Sequence, residues 1–433
     1  MDSRIDLQQP ILDGGIRSIN FFNGRLLSAR DLTREQSAYR EADRRLGQAV
    51  GEGIAYGLAL SKSPDSTQES PVVTVESGLA VNRLGQTLML TGKTDIALVR
   101  RASAGAGTSN AFGQCIPLQS GTYVAGAGVY LLTLAPAQGV EGRAITNGLD
   151  SATASCNTDT LVTAVQFRLI QLDPPITAAE LQDQDHLRNL IAYKCFGISD
   201  TESFISDPFG AQSKQYGLLD GLRGNLLTDC DVPLGVLYWT LDDGIKFVDM
   251  WSVRRRLMRR SSLARWTMLL DERRAAEGEA MFHQFQEQAL ELATTEVNPG
   301  SVVATEYFGF LPSVGALPLS TASGQGFDYP KFFQGVTCRE PVYLEGARVE
   351  TLLRDSWSYA PVDLSSGGMF WLYWVRENAQ AILDSPTPIQ TCLLFASGQM
   401  PFAAAPRFDV ARWNYSNFVS PNMPEQPKGV QRS

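Results

Sequence analysis

The residue types that most often carry out chemistry are sparse in this sequence. The two histidines, His186 and His283, are far apart, and neither is near the paired cysteines or further histidines that a zinc site requires. The sequence contains neither a G-x-S-x-G nucleophile turn nor a G-x-x-x-x-G-K-[ST] phosphate loop. Residues 229–231 (Asp-Cys-Asp) and 242–243 (Asp-Asp) have ligand types that suit calcium, although metal-free turns of this composition are common.

Two glycine clusters, at residues 51–57 and 126–128, raise the question of nucleotide binding. A dinucleotide-binding fingerprint requires a strand, then the glycines, then a helix. Both clusters instead lead into predicted strands, so we interpret them as turns. We therefore predict that the protein is not an enzyme and uses no catalytic residue, cofactor or metal ion.

Five arginines are concentrated within seven positions: Arg254, Arg255, Arg256, Arg259 and Arg260. Three roles are open for them, namely contacts with another subunit, a solvated or intramolecular surface, and nucleic-acid binding. In a helix they would surround most of the circumference, and the formal net charge of the chain is -9, so nucleic acid is disfavoured. Arginine is common in interface ion pairs, which favours subunit contacts. The neighbouring Trp251 suits either a core or an interface.

The arginines belong to a stretch, residues 249–298, that is predicted to form one very long helix. Asp249 suits its N-cap, and Asn298-Pro299-Gly300 are strong termination signals. Residues 250–274 hold eight arginines against two acidic residues, whereas residues 275–298 hold five glutamates and no lysine or arginine. The two halves of a straight helix are too far apart to neutralise each other. We therefore expect the arginines to meet acidic groups in the chain's own β domains or in a neighbouring subunit.

Most of the remaining sequence has the alternating apolar pattern of short strands. The predicted fold is α+β and mostly β, with short β-sheet modules flanking the long helix and a C-terminal β-sandwich-like domain. The predicted divisions are 1–50 for an N-terminal arm and helix, 51–246 for a β-rich domain with one helix near 176–192, 247–298 for the long central helix, and 299–433 for a C-terminal β-rich domain with a Pro-rich tail. Residues 369–375 are apolar on both faces, so this strand is either central or covered by a neighbouring subunit.

The first fifty residues are predicted to be an arm followed by a helix. Residues 1–27 are too apolar for a free tail and too irregular for a core element, so we expect them to be held by contacts outside their own domain. Ser28 and Asp31 form a capping-box pattern for a helix that runs to about Val50. Tyr39 is flanked seven residues away by Leu32 and Leu46, which predicts that a narrow seam of this helix is buried.

Length and cysteine content indicate a chain of two or three domains that folds in the cytoplasm. We see no secretory leader, and the longest apolar run, residues 369–375, is too short to span a bilayer. The six cysteines lack C-x-x-C spacing, which suits reduced, packed thiols. Pairing of Cys115 with Cys156 after release into an oxidising space is the alternative.

Six blocks spaced along the chain form a recognisable set: residues 21–39 (beginning FFNGRLL), 57–85, 244–257, 311–318 (LPSVGALP), 372–378 and 407–417. Together they resemble a family of proteins encoded in the loci of bacterial phage-tail-like contractile injection systems. The resemblance implies a non-enzymatic structural subunit at the baseplate end of the particle, either a cage or wall around the spike or a fibre-attachment protein. It also implies partners: other copies of the same chain and other baseplate or spike proteins. The assembled particle would be released extracellularly or be membrane-anchored.

The predicted interface residues lie in the arm, the arginine cluster and two aromatic segments: Phe21, Phe22, Arg25, Trp251, Arg254, Arg255, Arg256, Arg259, Arg260, Tyr307, Phe308 and Trp413. Two alternative functions stay open. A receptor- or glycan-binding tail-fibre protein, which would contact a cell surface, requires solvent-facing aromatic side chains on the β domains. A carbohydrate-active enzyme requires two carboxylates about 5 to 9.5 Å apart in a groove.

Overall fold

The computed structural model shows a mixed α and β protein with many strands in several small sheets. It describes residues 12, 15–68, 70–98, 128–145, 156–173, 177, 180, 183–197, 217–223, 225–240, 242–259, 272–295, 298–319, 326–376, 391–400, 403–404 and 418–419. The predicted combination of helices with many short strands is confirmed, whereas its arrangement around one very long helix is wrong.

The first helix, α1 (Ala29–Val50), begins where the sequence predicts. The Ser28 hydroxyl accepts a hydrogen bond from the Asp31 backbone N–H, and the Asp31 carboxylate accepts one from the Ser28 N–H. The capping box is therefore confirmed. Gly47 is the one buried residue of this fully described helix, so α1 contacts the rest of the described chain over a small area.

Two small antiparallel sheets follow α1. The first has the order β1-β4-β5 and the second the order β2-β3-β6, built from β1 (Gly53–Gly57), β2 (Leu60–Lys62), β3 (Val72–Val75), β4 (Gly78–Val81), β5 (Thr87–Leu90) and β6 (Thr94–Ala97). The turn residues 82–85 (Asn-Arg-Leu-Gly) lie between two apolar runs and predict a hairpin, which β4 and β5 form. Gly85 in its turn has a φ of +80°, a backbone conformation that glycine adopts without strain.

A four-stranded antiparallel sheet with the order β10-β9-β7-β8 forms the centre of the chain. Its strands, and the two helices between them, are β7 (Gly128–Ile145), β8 (Cys156–Leu172), α2 (Gln184–Phe196), α3 (Gly217–Leu222), β9 (Val232–Thr240) and β10 (Gly244–Asp249). One face, which includes Leu132, packs against the two small sheets, and the other, which includes Leu131, packs against α2 and α3. Residues 242–244 (Asp-Asp-Gly) between two apolar runs predict a hairpin, and β9 and β10 form it.

The helix predicted near residues 176–192 corresponds to α2 (Gln184–Phe196), which begins and ends later in the chain than predicted. The Asp183 side chain caps it by accepting a hydrogen bond from the His186 N–H, and Gly197 ends it with a left-handed φ of 69°. Thr177 and Glu180 exchange capping hydrogen bonds at the position where the sequence predicts a helix start. The residues between them lie outside the described part of the chain.

The very long helix predicted for residues 249–298 is wrong. Asp249 is the last residue of β10, where it is the partner of Val236, and it does not cap a helix. The chain then turns, and Met258 exchanges backbone hydrogen bonds of 2.9 and 3.0 Å with Glu52 beside β1. The described helix is α4 (Glu272–Thr295), of 24 residues. Pairing with distant strands has overridden the helical spacing of residues 250–258, whereas residues 260–271 lie outside the described part.

A five-stranded sheet follows α4. Its region contains α5 (Ala304–Tyr307), β11 (Phe310–Leu311), β12 (Val314–Pro318), α6 (Tyr329–Phe332), β13 (Thr337–Cys338), β14 (Val342–Glu345), α7 (Val349–Ser356), β15 (Val362–Asp363), β16 (Met369–Arg376) and β17 (Cys392–Ser397). The order is β12-β17-β16, with β13 and β14 both parallel to β16 on its other edge. Two further pairs are β11 with β15, and β18 (Ala403–Ala404) with β19 (Phe418–Val419).

Strand β16 is central in this sheet, which explains its two apolar faces. Phe370 lies in a cluster with Phe285 of α4, and Tyr373 on the opposite face lies in a cluster with Leu352 of α7. The central-strand alternative is therefore confirmed. The sheet lies between helices of its own chain, so it differs from the predicted β-sandwich, in which a second sheet would cover one face.

The described cysteines are of two kinds. Cys195, Cys338 and Cys392 are free thiols, whereas Cys230 is disulfide-bonded. The prediction of reduced cysteines is thus wrong for Cys230. The predicted alternative pair falls outside the described side chains, since neither Cys115 nor the Cys156 side chain is described. Among the described helices, none is both long enough and apolar enough to cross a membrane.

Candidate functional site

Exposed apolar side chains are concentrated near the N-terminus. We define the N-terminal apolar surface as Phe21, Phe22, Leu26, Leu27, Leu32, Tyr39 and Leu46, whose side chains are between 53% and 93% exposed. Isolated exposed apolar residues are normal, but a group of neighbouring large ones commonly marks an interaction surface. Phe21, Phe22 and the adjacent Arg25 were predicted as interface residues. The other members were not.

The apolar residues of α1 are exposed because the helix contacts its own chain on another side. A Cβ at Gly47 would lie 2.1 Å from the Gly85 carbonyl oxygen, and one at Gly85 would lie 2.0 Å from the Arg44 carbonyl oxygen. The β4–β5 turn therefore touches the backbone of α1 directly. With 3.6 residues per turn, this contact face and the row containing Tyr39 are centred roughly 130° apart. The predicted seam is thus present in α1, but the chain does not itself bury it.

The arm is fixed beside the N-terminal half of α1 by polar contacts. The Ile19 backbone N–H donates to the Glu35 carboxylate at 2.8 Å, and Arg25 forms an ion pair with Asp31 at 3.0 Å. The Arg25 guanidinium also lies 5.9 Å from the centre of the Phe22 ring. Hydrogen bonds from the Ser28 side chain and backbone, and then from Arg25, lower the pKa of the Asp31 carboxyl to about 2. The capping box and the arm therefore depend on the same ionised carboxylate.

The first two arginines of the cluster bind backbone carbonyls of their own chain. Arg254 donates to the Leu58 carbonyl at 2.8 Å and to the Gly57 carbonyl. Arg255 is buried and donates to the carbonyls of residues 251, 252 and 254 at 2.9, 3.1 and 2.8 Å, with its guanidinium 5.0 Å from the Phe196 ring centre. Arg255 thus organises the turn after β10, and its predicted interface position is wrong because the side chain is enclosed by its own chain.

The Arg259 backbone N–H donates to the carboxylate of Glu272 at 2.7 Å, a contact within the arginine-rich half. Arg256 meets the acidic half of the predicted helix within one chain, through a 2.8 Å ion pair with Glu279. The two halves were expected to be too distant for this, but the chain turns back after β10 and brings them together. Arg260 lies outside the described residues.

Neither histidine belongs to a metal or acid–base cluster. The Trp251 ring is stacked on His283 with ring centres 4.3 Å apart, and the Arg254 guanidinium lies 5.6 Å from the Trp251 ring. Burial, and then the nearby Arg254 charge, lower the pKa of His283 below its usual 6.5. His186 is within 2.7 Å of both the Asp183 carboxylate and the Thr305 carbonyl. In the described part of the chain, no three His, Cys, Asp or Glu side chains converge as a metal site would require.

In the two aspartate stretches, Asp231 and Asp243 bind side chains and backbone groups of their own chain. The Asp231 carboxylate accepts hydrogen bonds from the Thr228 backbone N–H at 2.8 Å and from the Thr133 hydroxyl at 3.1 Å, and it forms an ion pair with Arg168. Asp243 forms a 2.7 Å ion pair with Lys246. These contacts are typical of turns held together by their own side chains.

A small cavity lies where β1, α2, α3 and α4 meet residues 253–258. Its walls include four acidic residues and four arginines, so its charges are balanced: Glu52, Asp220, Asp231 and Glu277, with Arg83, Arg223, Arg255 and Arg273. The Cys195 thiol at its edge is buried, and burial raises its pKa to about 12. A nucleophilic cysteine needs a lowered pKa, so this thiol suits packing.

The last predicted interface residues differ in position. Phe308 is fully buried, with its ring centre 5.3 Å from that of Phe285, so its predicted interface role is wrong because it belongs to the C-terminal core. Tyr307 is partly buried beside the same cluster. Trp413 lies outside the described residues. The exposure of Leu26 and of the α1 row was not predicted, although the seven-residue spacing of Leu32, Tyr39 and Leu46 indicated an apolar row.

The chain matches no protein-family model and no curated protein.

Proposed function

We propose that this chain is a non-enzymatic structural subunit of a phage-tail-like contractile injection particle, located at the baseplate end as part of a cage or wall around the spike or as a fibre-attachment protein. The observation that carries the proposal is the N-terminal apolar surface, which includes the FFNGRLL block behind the family resemblance. An apolar surface of this extent suits permanent burial against neighbouring subunits.

The conformation of this surface supports an assembly role. The capping box, the Ile19–Glu35 hydrogen bond and the Arg25–Asp31 ion pair hold the arm and α1 in one arrangement before any partner binds. A preorganised surface loses less conformational freedom on binding, so a given apolar area contributes more affinity. The arm therefore has the properties of a docking element, and its partners are copies of this chain and other baseplate or spike proteins.

Because the arginines at positions 254–256 contact their own chain, we no longer assign docking to them. Arg254 and Arg255 stabilise the fold of the subunit, and Arg256 supports the junction with α4. Docking is thus assigned to apolar contacts of the arm and α1, with Arg25 as their charged neighbour. Assembly through such a surface weakens little with added salt, since apolar burial is not screened as ion pairs are.

A receptor- or glycan-binding fibre protein is the second candidate, and one observation favours it. Tyr56 on β1 is 57% exposed and Met89 on β5 is 55% exposed, and both are register partners of Leu79 on β4. This row gives the first small sheet a solvent-facing aromatic of the kind that contacts sugars or cell-surface proteins. The row is much smaller than the N-terminal apolar surface, which is why assembly is preferred.

The test is incorporation into particles purified from producing cells. The expected result is that the chain is present in a fixed ratio to the other baseplate proteins. Replacing Phe21, Phe22 and Leu26 together by serine should reduce that ratio several-fold. The matched control is Leu290→Ser, because Leu290 is 60% exposed on α4, away from the arm. Intact particles that lack the chain would contradict the proposal.

A further inference from the structure

The exposed face of α1 has two parallel rows of unlike size. Leu32, Tyr39 and Leu46 form the large row, each seven residues from the next. Three residues further along the chain, the second row consists of Glu35, Ala42 and Ala49. In two-helix pairs, such rows correspond to the two positions that form the interhelical seam. The large row stands on the side of α1 turned away from its own β4–β5 turn.

We infer that this face of α1 binds α1 of a second copy of the same chain, in antiparallel orientation. The inference rests on the proposed structural function and names one of its partners. An antiparallel pair places the large row of each helix against the small row of the other, so that Tyr39 faces Ala42 of the second copy. A parallel pair would instead place Glu35 against Glu35, two like charges in the seam.

The charges of α1 agree with a pairing between identical helices. The helix carries five arginines and four acidic residues, so two copies do not repel each other although the whole chain is acidic. Asp31 and Arg45 already form ion pairs within their own chain, with Arg25 and Glu41 respectively, so these charges permit the pair without selecting its orientation.

The available area is sufficient for a stable pair. With about 150–250 Å² for each large aromatic and somewhat less for each leucine, the exposed fractions of the N-terminal apolar surface amount to roughly 600–900 Å² per chain. A standard interface buries about 800 Å² per partner. In an antiparallel pair the arm residues before one helix reach the C-terminal half of the other, so arm and helix are covered together.

A lipid surface is the competing occupant, and the polar side of α1 disfavours it. Interfacial membrane helices are rich in Lys and Arg on the polar face, which attracts anionic lipids. The polar residues of α1 are of mixed sign, including the Arg44–Glu41 pair at 2.8 Å. A mixed-sign helix with a narrow apolar row is typical of helix–helix contacts.

The first experiment measures self-association of the full-length chain by analytical ultracentrifugation. A dimer is expected, and the variant with Leu32, Tyr39 and Leu46 all changed to serine should raise the dissociation constant by at least about 100-fold. The control Leu290→Ser should leave it unchanged. A wild-type chain that stays monomeric at about 100 µM, or a triple variant that dimerises normally, would overturn the inference, as would binding of the monomer to anionic vesicles through these same residues.

Orientation is tested by disulfide trapping, which does not depend on the stability of the triple variant. Leu32→Cys and Ala49→Cys chains are mixed under mild oxidation, and the cross-linked peptides are identified by mass spectrometry. The antiparallel pair predicts the mixed 32–49 product. Homodisulfides between two copies of residue 32 would show a parallel pair and overturn the inference. A monomeric chain that is still incorporated into particles would refute this inference and leave the proposed function standing.

Discussion

Changing Arg255 to methionine distinguishes a structural arginine from an interface arginine. The substitution keeps the length and apolar stem of the side chain but removes its charge and its donors. Arg255 is 8% exposed, and its guanidinium donates to three carbonyls of the turn after β10 while lying over Phe196. Those carbonyls would lose a charged donor at a position that water does not reach.

The expected loss in the free energy of unfolding is about 3–5 kcal/mol. Each hydrogen bond to a charged group contributes about 1.5–3 kcal/mol, but three bonds to one guanidinium do not add fully. At an unfolding entropy of about 2.1 cal/mol/K per residue, a loss of this size should lower the melting temperature of the 433-residue chain by about 3–5 °C. Arg256→Met is the matched control, because the Arg256 side chain is partly exposed and forms an ion pair with Glu279 of the kind that contributes about 1 kcal/mol or less.

Thermal unfolding of the purified chain, followed by far-UV circular dichroism and calorimetry, measures both variants. The structural role predicts a large shift for the Arg255 variant and a small shift for the Arg256 variant. If Arg255→Met melted like the wild type but failed to assemble, the side chain would be an interface residue, and the assignment of docking to the arm and α1 would be wrong.

Three further predictions concern single sites. Gly47→Ala should destabilise the contact of α1 with the β4–β5 turn, because the added Cβ meets the Gly85 carbonyl at 2.1 Å. This strain outweighs a gain in helix propensity of about 1 kcal/mol, so amide exchange in α1 should accelerate. Ser37→Ala, at an exposed position of the same helix, should slow it. His283→Gln should flatten the dependence of stability on pH. Because the pKa of His283 is lowered in the folded state, its contribution to stability is fully present above pH 6.5 and declines as pH falls through the folded-state pKa. Urea unfolding between pH 7 and 5 measures this, and an equal slope in both proteins would contradict it. Phe308→Ala should lower the free energy of unfolding by about 3–5 kcal/mol, because it removes a buried core side chain. An unchanged free energy in urea unfolding would mean that Phe308 is a surface residue.

Local signals allowed the short elements to be predicted. Ser28 and Asp31 fix the start of α1 through hydrogen bonds within one turn, and the turn at Gly85 fixes the β4–β5 hairpin through its backbone conformation. The two apolar faces of residues 369–375 identify a strand with neighbours on both sides, as β16 is. In each case the residues that determine the structure are close in the sequence or alternate along a single strand.

Long-range pairing explains where the prediction failed. Residues 250–258 have helical spacing, but Val253 is buried under the central sheet and Met258 pairs with Glu52, about two hundred positions earlier. A single sequence does not show such a partner. Arg255 was assigned to an interface for the same reason, since its ligands are backbone carbonyls that leave no pattern of side-chain types.

The heptad spacing in α1 shows a related ambiguity. The spacing of Leu32, Tyr39 and Leu46 correctly indicated an apolar row, but not whether the row faces its own chain. The contact between Gly47 and Gly85 decides this by fixing another side of the helix, roughly 130° from the row, to the rest of the chain. The glycines themselves gave a signal, because each makes room for close backbone approach.

Amide hydrogen exchange of the chain, free and within purified particles, tests the central claim most directly. If the N-terminal apolar surface is buried by neighbouring subunits, exchange of the arm, residues 15–27, and of α1 should slow several-fold in the particle, while exchange in β16 and β17 should be nearly unchanged because these strands are already in a core. Equal exchange of the arm and α1 in both samples, with new protection confined to other surfaces, would contradict the account.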